Sequence, residues 1–495
     1  MSEKFSFIGN SLRRKEGESK VTGQAKYIDD ITMENMLHGV TVRSDVPRAK
    51  IKAIHFDPKI PWQEFTIVTA KDVPGNNYVA LIENDQPFLA DGETNHPEEA
   101  VVLLAHPNRD MAERGRQHVR IEYEELQPVL SIADSLAKKN IIWRQDNIFK
   151  SILIEKGNVE TVWKTAAHVI EGEYFTGAQE QLYIENQGMI ASFDQERGVT
   201  IWGSLQCPYY IQKAIKALFN YPEEKVRIIQ TETGGGFGGK EEYPSMLAGH
   251  AALLSMKAGK PVKMIYSRSE DMAATTKRHP SRSRIKTATD KNGKLLAIHF
   301  EFVIDGGAYC TLSPVVLSRG SIHAGGPYAC DNVRIESHAV ATNHPPHGAF
   351  RGFGAPQSIF AMERHLDEVA YKIGITPEQI RRRNFLKTGQ STATGQVIKE
   401  DMNFERLLDK AFELSDFHAK QKDFAKTNAH SKIKRGIGFA TFMHGAGFTG
   451  SGEKTLAAMA GISATQDGKV RVLAASTENG QGTNTVFSQI VADAL

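Results

Sequence analysis

The sequence holds 495 residues, enough for about two to four domains with ordinary buried cores. Hydrophobic residues make up 40% and charged residues 24%, with a mean hydropathy of −0.36, which excludes a disordered, collagen-like or coiled-coil chain. Sixty Lys and Arg face 58 Asp and Glu, a formal net charge of +2, so no global field recruits nucleic acid or an anionic membrane.

Three cysteines, Cys207, Cys310 and Cys330, form no CxxC pair, which argues against a disulfide framework or a structural zinc site. They are also too few for an iron–sulfur cluster held by four thiolates. The opening MSEKFSFIGNSLRRKEG has no apolar signal core. The most apolar stretch, 246–256, is interrupted by His250 and is shorter than the ~20 residues a membrane helix needs. A cytoplasmic protein is expected.

From 37 to 126, the β-rich runs HGVTVRS, FTIVTA, AVVLLA and VRIEYEEL alternate with turn signals and a helix at 108–116, a compact α+β unit. Residues 127–156 have weaker periodicity and read as a linker. Next come a helix at 158–165 and the strands VIEGEYF, MIASF and VTIWGS. A helix at 208–219, the strand VRIIQ, a glycine run and an apolar helix at 244–256 follow. VKMIY and IHFEFVI are further strands, and 356–373 is a long amphipathic helix. Beyond a polar segment, 404–414 is helical, GIGFATFMHG and KVRVLAAS are strand-like, and 483–495 is helical again.

The glycine run at 234–241, GGGFGGKE, sits between a strand and a helix, where glycine permits positive φ and close backbone approach to a ligand. It matches GxGxxG, but the next strand ends Tyr266-Ser267-Arg268 without the acid that holds a ribose. It also matches GxxxxGK, but Glu241 stands where a phosphate-binding loop needs Ser or Thr. Three other features read as ordinary structure. Residues 277–284, with Lys277, Arg278, Arg282 and Arg284, read as a solvated basic turn. Arg381–Arg383 reads as an exposed helix end. His344-Pro345-Pro346-His347 reads as a loop whose two histidines lack an evident third metal ligand.

Four motifs surround the glycine run in order: Gln206 in GSLQCPYYIQKAI, Arg319 after what reads as an extended strand-and-loop segment, GAFRGFGAPQ at 348–357 and ENGQGT at 478–483. With the opening IGNSLRRKEGESKVTGQAKYIDDI, this series resembles the molybdenum-binding subunit of the xanthine dehydrogenase and aldehyde oxidase family, the molybdenum hydroxylases. The resemblance spans nearly the whole chain. It implies an α+β architecture with a hammerhead-like domain at 1–126, the linker at 127–156, a first molybdopterin-binding domain at 157–390 and the start of a second at 391–495.

The resemblance also implies a site. Gln206 would hydrogen-bond the apical oxo group of a molybdenum–molybdopterin cofactor, in its plain or cytosine dinucleotide form. Phe237 and Gly238 would lie against the metal and the Arg351 backbone would approach the pterin, so that Gln206, Phe237 and Arg351 surround the molybdenum without ligating it. Asn479 and Gln481 would contact the pterin from the second domain. Neutral donors and backbone N–H groups suit an anionic cofactor of this kind. Glu241 and Arg319 stand at the two polar pocket positions as in purine-oxidising members, with Phe353 stacking on the substrate and Phe448 and Thr449 forming a second wall.

The implied reaction is hydroxylation of a purine-like N-heterocycle such as xanthine or hypoxanthine, with oxygen from water. Nicotinate or another N-heterocycle is the alternative substrate, and an inactive fragment the alternative product. Electrons would leave through [2Fe-2S] and FAD centres on partner subunits. The family's large subunit continues further and supplies a catalytic glutamate there, so a further chain is expected to complete the molybdopterin domain, and this chain alone is expected to be inactive.

Overall fold

Strand Ala100–His106 is buried along its whole length, as befits an apolar run covered on both faces. It lies between Leu37–Arg43 and Thr66–Val68 in a seven-stranded sheet. In the computed structural model, which describes residues 6–445 and 459–495, this sheet continues past Leu37–Arg43 into Val262–Ile265, Gly188–Asp194, Gly198–Gly203 and Val226–Gln230. The joint is a parallel pairing that sets Leu37 opposite Val262. The 37–126 segment expected as a compact unit therefore shares its main sheet with later chain. Only a three-stranded sheet, of Ala49–Phe56, Glu93–Thr94 and Val119–Glu125, is its own.

Helix Pro244–Ala258 is apolar on all sides and is buried accordingly against strand Gly188–Asp194 and helix Pro208–Phe219. Proline at its start and Gly259 at φ +61° beyond its end delimit it. This helix fixes the far end of the glycine run, and strand Val226–Gln230 fixes the near end.

A second, five-stranded sheet runs in the order Ile148–Lys156, Val333–Val340, Leu295–Asp305, Ser281–Thr289 and His168–Thr176. Helices Ser313–His323 and Ala355–Lys372 pack against each other and on this sheet, over a core that includes Phe300, Phe302, Leu317 and Leu366.

The structure departs from the sequence expectations at several places. The linker at 127–156 contains helix Ile132–Ala137 and strand Ile148–Lys156; the strand finds its partner, Val333–Val340, far along the chain. At 158–165 only a 3-10 turn forms, Val159–Thr161, capped by the Asn158 side chain. Arg319 lies within helix Ser313–His323, which Pro314 starts, and not after an extended segment. The basic turn at 277–284 is largely interior: Arg278 is 9% exposed, and Ser281–Thr289 is a central strand. Arg381 is fully buried rather than at an exposed helix end, with Nε 2.9 Å from Glu363 Oε2 and Nη1 2.8 Å from Asp367 Oδ1. GIGFATFMHG forms no strand: Phe439 and Met443 pack on the core while the Thr441 amide donates to Glu363 Oε2 at 2.7 Å.

Candidate functional site

Three loops far apart in sequence meet at one cleft. The first is the glycine run, held by two carboxyl or amide oxygens from elsewhere. Glu185 Oε2 accepts from Gly234 N at 2.7 Å, from Lys240 Nζ at 3.0 Å and from Ser204 Oγ at 2.5 Å, so one carboxylate fastens both ends of the loop. Lys240 has no exposure, and its ammonium also lies 4.8 Å from the centre of the Tyr183 ring. Gln206 Oε1 accepts from Gly238 N at 2.9 Å and Lys240 N at 3.2 Å, while Gln206 N donates to Lys240 O at 2.7 Å. Its Nε2 has no protein acceptor among the described residues, leaving that amide as a donor to the cleft that Gln206 lines.

Gly238 has φ +100°, and a Cβ there would lie 2.8 Å from the Ala349 carbonyl and Phe350 Cα. The glycine run thus touches the second loop, 348–354, backbone to backbone, and Arg351 N donates to Phe237 O at 2.9 Å. Glu242 Oε1 accepts from Ala349 N at 2.9 Å, and a Cβ on Gly348 would collide with that same oxygen. Arg278 donates to Arg351 O at 2.9 Å and sits 3.9 Å over the Phe350 ring. The third loop is organised by Glu478, which accepts from Gly480 N at 2.9 Å, Gly482 N at 3.0 Å and Asn484 N at 3.2 Å. Arg14 reaches it from the start of the chain, donating to Glu478 at 3.0 Å and to Gly480 O at 2.9 Å. Burial opposes ionisation of Glu478, yet these amides hold its carboxyl below the usual glutamate range.

The loops enclose a cleft of about 620 Å³ lined by Gln206, Phe237, Gly238, Glu241, Arg351, Phe353, Asn479 and Gln481, among others. These eight residues, all expected from the sequence, are therefore brought together. Phe237 and Phe353 both hold positive φ, 53° and 52°, and the amides of Phe237, Phe350 and Gly352 have no acceptor among the described residues. Arg319 is half-buried, and its charge reaches Glu241. Burial, with the neighbouring Glu242, pushes Glu241 up to about 8 against the pull of Arg319. Burial likewise lowers Arg319 against the pull of Glu241. Phe448 and Thr449 lie outside the described residues.

The open amides, the Gln206 Nε2 and the positive-φ backbone form a cradle of neutral donors. That donor set fits an anionic pterin–metal group better than a side-chain-ligated ion. Sequence reasoning missed Glu185, Lys240, Glu242, Arg278 and Glu478 as the groups that hold this cradle. Lys240 and Glu242 flank Glu241 and carried a signal, two charged residues at the root of an apolar helix; Glu185 carried none.

Comparisons with known proteins identify the domains that carry these loops. Residues 22–127 match the aldehyde oxidase and xanthine dehydrogenase a/b hammerhead domain, and residues 143–385 and 410–495 match molybdopterin cofactor-binding domains. The chain is 34% identical over 485 residues to a probable xanthine dehydrogenase subunit of Bacillus subtilis, covering 97% of this chain and 64% of that protein. It is 33% identical over 416 residues to the nicotinate dehydrogenase large molybdopterin subunit of Eubacterium barkeri, covering 83% of this chain and 97% of that subunit. The crystal structure of quinoline 2-oxidoreductase from Pseudomonas putida superposes with a TM-score of 0.85 at 26% identity, over 99% of this chain and 65% of that one. The chain thus spans just under two thirds of the Bacillus relative and nearly all of the Eubacterium subunit. No helix among the described residues is long and apolar enough to cross a membrane.

Proposed function

The chain belongs to the molybdenum hydroxylase family, and on that premise we propose that it is the molybdopterin-binding part of a multi-subunit enzyme that hydroxylates a purine-like N-heterocycle. When bound, the molybdenum–molybdopterin group supplies the two-electron oxidation of a ring carbon, with water as the source of oxygen. Gln206 would donate to this group through Nε2. Phe237, Gly238 and Arg351 would present backbone to it, and Asn479 and Gln481 would face it from the third loop. The cofactor would be held in its plain or its cytosine dinucleotide form.

The observation that carries the substrate class is Glu241 on the cleft wall, within reach of the Arg319 charge. A carboxyl raised to about 8 is protonated at neutral pH, so it donates to one ring atom and accepts from another, as adjacent N–H and C=O groups of a purine require. Arg319 supplies the positive charge that opposes negative charge developing on the ring, and Phe353 offers an aromatic face. Nicotinate is the second reading, favoured by the near-complete overlap with the Eubacterium subunit; there Arg319 would meet the substrate carboxylate.

The electron-carrying centres, [2Fe-2S] and FAD, would lie outside these 495 residues, whose three cysteines are too few for a four-thiolate cluster. The test is kcat/KM for xanthine, hypoxanthine, nicotinate and an aromatic aldehyde, measured on the assembled complex at equal molybdenum content. Arg319→Met should lower purine turnover more than it weakens binding, by about 2–4 kcal/mol at the transition state. Glu241→Val should lower purine oxidation and raise relative aldehyde oxidation. Wild-type purine kinetics in both variants would remove the pocket assignment, and a wild-type preference for nicotinate would replace the purine reading.

A further inference from the structure

The sequence places His344 and His347 two prolines apart with no third metal-binding group nearby, but the fold supplies one. Strand Leu295–Asp305 runs parallel to Val333–Val340 with Asp305 opposite Val340, so the chain leaving the second strand passes directly over the end of the first. Asp305, His344 and His347 each present a ligand atom, and these atoms lie within 4.8 Å of one another.

Each member is prepared differently. The Asp305 carboxylate is oriented by Gly307 N at 2.9 Å and Thr342 Oγ1 at 2.7 Å on Oδ1, which leaves Oδ2 facing His344 Nδ1 at 2.9 Å. His344 is half-exposed, with 40% of its side chain open to solvent. His347 is 6% exposed, and neither of its ring nitrogens has a hydrogen-bond partner among the described residues. A buried imidazole with both nitrogens idle bears the full desolvation cost of two polar atoms, which native structures rarely leave uncompensated. A cation shared with the adjacent carboxylate and imidazole removes that cost.

We propose that Asp305, His344 and His347 bind a divalent transition metal of the zinc class, with water filling the fourth position on the exposed side of His344. Two imidazoles and one carboxylate are a borderline nitrogen and oxygen donor set that suits zinc. In a tetrahedral site with bonds of ~2.0–2.1 Å the donor atoms stand roughly 3.4 Å apart, so the three side chains need to close by about 1 Å or less each. The bound ion ties the end of strand Leu295–Asp305 to the root of the loop that continues through Gly348 to Arg351 and Phe353. It therefore braces one wall of the cleft from outside and takes no part in the chemistry proposed there. Zinc binding does not depend on the molybdenum reading.

The test uses the full chain, stripped with a chelator, incubated with Zn²⁺, freed of unbound metal and analysed for zinc and molybdenum separately by mass spectrometry. Wild type should retain about one zinc per chain and show a thermal midpoint that rises with zinc. Co²⁺ in place of zinc should give the visible absorption of a low-coordination site. His344→Ala, at the exposed member, and Asp305→Asn should each weaken zinc binding by about tenfold or more and abolish the cobalt spectrum. His347→Gln, which keeps a polar side chain in the buried position, should do the same. Zinc well below one equivalent in wild type, or unchanged zinc retention in His344→Ala and Asp305→Asn, would overturn the proposal.

Discussion

Replacing Lys240 by Met tests whether the cradle is held by the Glu185 carboxylate. Methionine keeps the apolar stem of the fully buried lysine and deletes only the ammonium, which lies 3.0 Å from Glu185 Oε2 and 2.8 Å from Ser204 Oγ. Removing one partner of a buried ion pair typically costs ~3–5 kcal/mol. Here Glu185 retains Gly234 N and Ser204 Oγ as donors, and its side chain is 14% exposed. The expected cost is therefore smaller, about 2–3 kcal/mol. Concentrated on opening of the loop, that cost makes exchange of the Gly234, Gly238 and Lys240 amides about 30- to 150-fold faster. Hydrogen exchange resolved by peptide mapping measures it, with Val119–Glu125, in the separate three-stranded sheet, as the internal control. A double-mutant cycle with Glu185→Gln should show coupling of at least ~1 kcal/mol. Exchange across 234–240 unchanged within a factor of about three would mean that the Glu185–Lys240 pair does not hold the loop.

Gly238→Val should lower the cofactor-to-protein ratio by about tenfold or more with unaltered far-ultraviolet circular dichroism, because the side chain meets the Ala349 carbonyl in a backbone region valine avoids. Glu242→Ala should release the 348–354 loop by removing the acceptor of Ala349 N, raising exchange across that loop more than across 234–240. Stability should also depend on Glu99, whose carboxyl burial pushes up to about 7. The folded state holds that proton more tightly than the unfolded chain, so the stabilisation is full below the ordinary glutamate range and is lost as pH rises to about 7. The loss should be of order 3 kcal/mol in urea titrations across that window, and Glu99→Gln should flatten it.

What the sequence revealed follows from how local each signal is. Ala100–His106 and Pro208–Phe219 carry strong apolar patterns and form where the pattern says. Strand Ser281–Thr289 was hidden because its buried face holds Ser281, Ser283 and Thr287 while Arg282, Arg284 and Lys286 alternate outward, so the period-two signal is polar on both faces. Arg381 looked exposed because its partner Glu363 comes from another helix. The loops of the cleft were legible as glycine-rich motifs, since positive φ and close backbone approach demand glycine at positions such as Gly238. The carboxylates that hold them, Glu185 above all, act across the fold, and nothing in a single sequence marks which glutamate will do so. The same is true of Asp305 beside His344 and His347.

The central claim is that this cleft holds molybdenum–molybdopterin, and the direct measurement is the molar ratio of molybdenum and pterin to this chain in the assembled complex, taken for wild type and Gly238→Val. Close to one molybdenum and one pterin per wild-type chain is expected, with both falling together in the variant. Wild-type complex containing neither, or a variant that retains both at the wild-type ratio, would contradict it.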